Sequence, residues 1–269
     1  ASLIASMLIP DAVLAQTTSS IQSSVRPFGL DIVDTVKVAG SDTASASFQS
    51  SVLPNITQMI NGSLGEYQAV DDSRMLLDPS KLKLKVDSDV RVYFVGEGAG
   101  YRNTLGFTTD GNGTANSSTA KLIFPNASSS VSTYNPNSTV NRSSNEPLLP
   151  GDFVNLGNIS KGSTLDFFLI ANGANGGNNV FSTKTSANPD GINHVVSFAY
   201  AMQGSPYLIL GFEDLMGGGD RDFNDLLFAI DIGAVNVAAL TAAPEPPLWA
   251  MLGIFFVTGG ALLRKRPVV

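Results

Sequence analysis

Short apolar runs separated by clusters of Gly, Asn, Pro and Ser recur along most of this chain. They fall at Leu30–Val38, Leu82–Val86, Val90–Val95, Lys121–Phe124, Thr164–Ala171, Val180–Thr183, His194–Met202, Tyr207–Phe212 and Leu226–Ile232. Runs of that length with turn residues between them predict an all-β fold, a β-sandwich of jelly-roll-like antiparallel sheets. The last run is the clearest. Leu226, Phe228, Ile230 and Ile232 share one face and Asp231 takes the other, as in a sheet with one side on a core. By the same count His194 falls with Val196, Phe198 and Tyr200. Ala44–Ile60 is the one stretch that reads as a helix, and Pro54 interrupts it. Asp110–Asn145 is rich in Ser, Thr and Asn around the patch Lys121–Phe124, which predicts an insertion between strands.

Two apolar stretches are of another kind. No charge interrupts Leu248–Leu263, and Arg264-Lys265-Arg266 stops it abruptly. As a helix it would span about 24 Å, slightly less than the ~30 Å of a hydrocarbon core. The charge bias predicts a membrane-inserted segment whose basic end stays cytoplasmic, with everything before Pro244 across the membrane. Pro244-Glu245-Pro246 stands in front of it, and proline keeps such a triplet extended and accessible. At the other end Ala1–Leu14 is apolar, and Val13-Leu14-Ala15 before Gln16 has the small residues of a cleavage site. With neither an initiator Met nor a basic leader, this reads as a signal peptide missing its first residues. The predicted organisation is therefore a truncated signal peptide at 1–15, an exported β-domain at 16–240 and a sorting tail at 243–269.

That tail, Pro244 to Arg266, resembles the PEP-CTERM sorting signal of Gram-negative and related bacteria. The resemblance implies recognition by an exosortase that cuts near the triplet Pro244, Glu245, Pro246. The helix 248–263, with Arg264, Lys265 and Arg266 behind it, would then anchor the protein in the inner membrane only in transit. The body would end at the cell surface or outside the cell. A permanent one-pass anchor is the plainer alternative.

Composition narrows the body's chemistry. The net charge of −7 and pI near 4.6 offer no electrostatic footprint for nucleic acid and favour divalent cations instead. The absence of cysteine removes thiol nucleophiles and thiolate metal sites, and leaves an exported fold to rely on its core or on bound ions. A single histidine, His194, excludes a polyhistidine zinc centre.

The strongest internal motif is Gly211–Asp225, which gathers Glu213, Asp214, Asp220, Asp222, Asn224 and Asp225, with Asp231 across a strand. Ca²⁺ takes six to eight oxygens at about 2.3–2.6 Å. Alternate residues on an extended chain lie roughly 6–7 Å apart, too far to share an ion. The loop must curl, and Gly217-Gly218-Gly219 supplies the freedom to do so. Asp220-x-Asp222-x-Asn224 has the first, third and fifth ligand spacing of an EF-hand, but Asp225 stands where that loop needs glycine and a strand follows. A Ca²⁺ loop between two strands is the expectation, with His194 and Asp231 as accessory residues and Asp190 joining them by the resemblance described next. A turn held by Asx side chains is the bland alternative.

Phe167–Gly173, Asn188–His194 and the Gly211–Asp225 core resemble the domain of unknown function family numbered 4114, over about Leu149–Gly233. The stretch Val92–Gly106 resembles a segment seen ahead of that domain. The family is found in secreted bacterial surface proteins and has no established enzymatic activity. The resemblance implies acidic positions at Asp190, Glu213, Asp214, Asp220, Asp222, Asn224 and Asp225.

The expected function is non-enzymatic: an exported Ca²⁺-binding structural or adhesive protein of the cell surface or extracellular matrix. A carbohydrate-binding module for exopolysaccharide is the second reading, with Tyr93, Tyr101, Tyr200 and Tyr207 as stacking platforms. A polysaccharide hydrolase is the third. Against it, Glu213 and Asp214 are strand neighbours on opposite faces, a poor acid/base pair, and no nucleophile elbow accompanies His194.

Overall fold

The computed structural model describes residues 21–64, 76–131, 141–200 and 204–242. The segments read above as signal peptide and sorting tail lie outside them. Among the described residues no helix is long and apolar enough to cross a membrane.

Among the described residues ten strands form two antiparallel sheets. They are β1 (Leu76–Leu77), β2 (Ser88–Gly96), β3 (Thr104–Thr108), β4 (Lys121–Phe124), β5 (Phe153–Ile159), β6 (Asp166–Ile170), β7 (Val180–Ser182), β8 (Val195–Ala199), β9 (Tyr207–Phe212) and β10 (Leu226–Asp231). The larger sheet runs β1-β8-β9-β10-β2-β5 and the smaller β4-β3-β6-β7. This six-and-four division, with β8, β9 and β10 adjacent in sequence order, differs from the eight strands in two Greek keys of a jelly roll.

One face of each sheet meets the other in a shared core. Phe94, Leu210, Phe228 and Ile230 of the larger sheet join Leu105, Phe107, Phe167 and Leu169 of the smaller. The rings of Phe167 and Phe228 lie 5.3 Å apart across the gap, and those of Phe94 and Phe124 lie 6.1 Å apart. Each such buried side chain stabilises the fold by roughly 1.5–3 kcal/mol. The alternation in β10 is as expected: Leu226, Phe228 and Ile230 turn to this core, while Leu227 and Ala229 turn away.

The outer face of the larger sheet is covered by α1 (Thr43–Ser47), a π-turn at Phe48–Val52 and α2 (Leu53–Ser63). Asp42 caps α1: its carboxylate accepts from Ser45 N at 2.7 Å, and Ser45 Oγ accepts from Asp42 N at 3.2 Å. Pro54 sits in the first turn of α2, where its missing N–H costs nothing, and the wider winding just ahead accommodates it. Phe48 stacks on Tyr93 at 3.9 Å, and Ile56 and Ile60 join it over Phe198, Ile209 and Ala229.

Within the expected insertion Ala115 and Ala120 cover Phe168 and Ile170 on the outer face of the smaller sheet, and the patch Lys121–Phe124 is β4. Leu30–Val38 and Leu82–Val86, expected as strands, make only isolated bridges such as Ile32 to Leu122 and Lys83 to Thr164. A third helix, α3 (Ala234–Thr241), follows β10. Its buried Asn236 accepts from Lys85 N and Val86 N and donates to Ile232 O, tying the end of β10 to that neighbouring segment.

Candidate metal centre

Strands β9 and β10 pair along their full length, from Tyr207–Asp231 to Phe212–Leu226. The acidic motif is the turn between them. Glu213 N donates to His194 O at 2.9 Å, extending the β8–β9 ladder by one residue. Asp214 N then donates to Asp225 Oδ2 at 2.8 Å. Beyond Asp214 the chain curls as expected. Gly217 and Gly218 both have φ of +84° and Gly219 +48°, a region glycine enters without steric cost. Two residues with side chains enter it as well, Arg221 at +61° and Phe223 at +54°. Each reverses the chain between acidic positions, so Asp220 and Asp222 return to Glu213. Single oxygens of Glu213, Asp220 and Asp222 all lie within 4.8 Å of one another.

Glu213 is buried at 1% exposure and Asp222 at 4%. One Glu213 oxygen, Oε1, accepts from Phe223 N at 3.0 Å. The other, Oε2, is buried with no hydrogen-bond donor among the described residues. Gly219 stands against it, and a Cβ there would collide with Oε2. The absence of a side chain at 219 thus makes the space around an unsatisfied carboxylate oxygen. Burial pushes the Glu213 carboxyl up to about 7, and the charges of Asp220 and Asp222 add to the effect. Asn224 keeps to Asp222: its N donates to Asp222 Oδ1 at 3.2 Å and its amide donates to Asp222 Oδ2.

Asp214 and Asp225 face another way. Asn103 Nδ2 donates to Asp214 Oδ2 at 2.7 Å. Burial drives both carboxyls up, Asp225 to about 8 with the charge of Asp214 adding to it. The six expected ligands therefore divide into Glu213, Asp220 and Asp222 with Asn224 beside them, and the separate pair Asp214 and Asp225. Of the accessory residues, Asp190 and His194 brace the loop. Asp190 Oδ2 accepts from Gly217 N at 2.8 Å and meets His194 Nε2 at 2.9 Å, while His194 Nδ1 lies 3.2 Å from Glu213 O. The His194 ring stacks on Phe181 at 3.9 Å, on the side of the shared core, and not with Val196, Phe198 and Tyr200. Asp231 is not beside the loop. It ends β10, six residues on from Asp225, about 20 Å along an extended strand.

Glu97 and Asn103 escaped motif reading. Glu97 Oε1 accepts from Ser129 N at 3.1 Å, and burial lifts its carboxyl to about 7, with Glu146 and Asp214 adding charge. Both residues lie within Val92–Gly106, the one signal in the sequence that pointed their way. Gly98 N donates to Asn224 O at 3.0 Å, so this stretch abuts the acidic loop.

The strand pair, the curled acidic turn and the brace from Asp190 and His194 form one continuous segment. Residues 159–233 match the family DUF4114, a domain of unknown function. None of the curated proteins and none of the solved structures matches the chain. The DUF4114 segment starts at the last residue of β5 and includes β6 to β10. It holds Asp190, His194 and all six acidic-loop positions. Glu97 and Asn103 come from outside it.

Proposed function

We propose that this is an exported Ca²⁺-binding protein of the bacterial cell surface or extracellular matrix, with a structural or adhesive role and not a catalytic one. The observation that supports the ion is Glu213 Oε2, a buried carboxylate oxygen without a donor beside Asp220 and Asp222, in a space that Gly219 leaves clear. Glu213, Asp220 and Asp222 fit a hard cation because all their donors are carboxylate oxygens. Ca²⁺ suits a curled loop better than Mg²⁺, which demands a stricter octahedron and keeps its waters. The ion would supply positive charge that replaces the protons these carboxyls otherwise hold. A non-catalytic role is favoured by His194, whose two ring nitrogens are both engaged by acceptors. Export and transient anchoring rest on the sequence of the two ends, the tail being a PEP-CTERM signal for an exosortase.

Thermal melts of the full chain in Ca²⁺ and in chelator test the ion. A ligand that binds only the native state raises its stability by mass action. Wild type should melt higher in Ca²⁺, and Asp222→Ala should lose that increment. An equal Ca²⁺ response in the variant would refute the assignment.

A further inference from the structure

A cleft of about 410 Å³ lies at the far end of the larger sheet from the acidic turn. Its walls are Asp89, Arg91 and Tyr93 from β2, Asn155 and Gly157 from β5, and Asp231 from β10, with Ala44 of α1 at the rim. The register slips by one residue between Val90 and Arg91, opposite Gly157. A Cβ at Gly157 would meet nothing within 4 Å, so the sheet surface there is open.

The hydrogen-bonding state of these walls selects the ligand. Asp231 Oδ1 accepts from Gly233 N at 3.0 Å, and its other oxygen has no partner among the described residues. Asp89 Oδ1 accepts from Asn158 Nδ2 at 3.1 Å, which again leaves one carboxylate oxygen. Asn155 Oδ1 accepts from Arg91 Nε at 2.7 Å, and its amide N–H₂ is unspent. Arg91 gives its remaining bonds to Asp42, at 3.0 and 2.9 Å, and to the Tyr93 hydroxyl at 3.3 Å, keeping one N–H. Its charge is already met by Asp42. Guanidinium over Phe153 at 4.3 Å holds it in place.

The cleft thus offers two carboxylate acceptors and two nitrogen donors side by side. An anion would satisfy only the donors and face two carboxylates. An ammonium would satisfy only the acceptors. A hydroxyl both donates and accepts, and neighbouring hydroxyls on one ring engage both sets at once. We infer that this cleft binds a saccharide, through Asp231, Asp89, Asn155 and Arg91. The volume suits a small ligand of that kind. Tyr93 contributes its hydroxyl end and no stacking face, because Phe48 covers its ring. This site is independent of the cation loop. It takes all but Asp231 from outside the DUF4114 segment.

The test is titration calorimetry with ligand-observed NMR on the full chain. The probes are the methyl glycosides of glucose, galactose, mannose and N-acetylglucosamine, with ethylammonium and inorganic phosphate as controls. At least one glycoside should bind saturably. Asp231→Asn, which keeps the bond from Gly233 N, should weaken it about tenfold or more, the loss expected for one charge-assisted hydrogen bond. Asp89→Ala, at an exposed position, should weaken it independently, while Asp222→Ala leaves it unchanged and so separates this site from the cation loop. No binding of any glycoside, binding of ethylammonium or phosphate alone, or wild-type affinity in both cleft variants would overturn the inference.

Discussion

Replacing Glu213 by glutamine keeps the shape of the side chain and removes its charge, which isolates the electrostatic cost of the acidic turn. In the cation-free protein the Glu213 carboxyl is moved from 4.5 to about 7 by burial. A carboxyl raised in this way contributes stability that is complete below its unfolded value and is lost as pH rises through the folded one. Between about pH 5 and about pH 8, that one group withdraws about 2–3 kcal/mol, at ~1.4 kcal/mol for each tenfold change. Asp225, moved to about 8, acts in the same direction. Urea unfolding of wild type in chelator should therefore show stability falling across this window, with Glu213→Gln falling less by about that difference. Ca²⁺ at about a hundred times its dissociation constant should return ~2.7 kcal/mol to wild type and much less to the variant. Parallel pH slopes for the two proteins, or a wild type that gains stability with pH in chelator, would refute the reasoning.

Two further outcomes follow from the packing. Gly219→Ala places a methyl against Glu213 Oε2 at a left-handed position, and should abolish the Ca²⁺ increment in a thermal melt as well as lower the chelated melting point. Asp152 is fully buried and bonded by Arg142, Ala39 N and Leu149 N. Asp152→Ala should cost about 3–5 kcal/mol in urea, because it strands a half-buried guanidinium and two backbone donors.

Much of the sheet structure could be read from the chain, and the failures have physical causes. Alternation identified β10, and apolar runs located β2, β4 and β9, because each buries a regular face. Strand β5 was missed because Asn155, Gly157 and Asn158 break its apolar pattern; the bulge opposite β2 lies there. Strand β3 was hidden by Gly106, which looks like a breaker. Its missing side chain is what lets the Phe168 ring lie against the strand. Leu30–Val38 has the right alternation but lacks a continuous partner. The acidic turn was plain in the sequence, and so was the departure of Glu213 and Asp214 to opposite faces. Which carboxylates return to Glu213 was not, because that depends on left-handed backbone at Arg221 and Phe223, which neither residue advertises. The cleft left no trace, since its walls come from four separate elements.

The acidic turn also closes the hairpin of two strands that lie side by side in the middle of the larger sheet. Docking of β8 and β2 on either flank needs that hairpin in register. Bringing β9 to β10 means gathering five carboxyl groups at its closed end. Protons or a cation remove that repulsion in the folded turn. The ionic medium thus bears on how firmly the finished molecule holds its central strands, far from the surface where the ions sit.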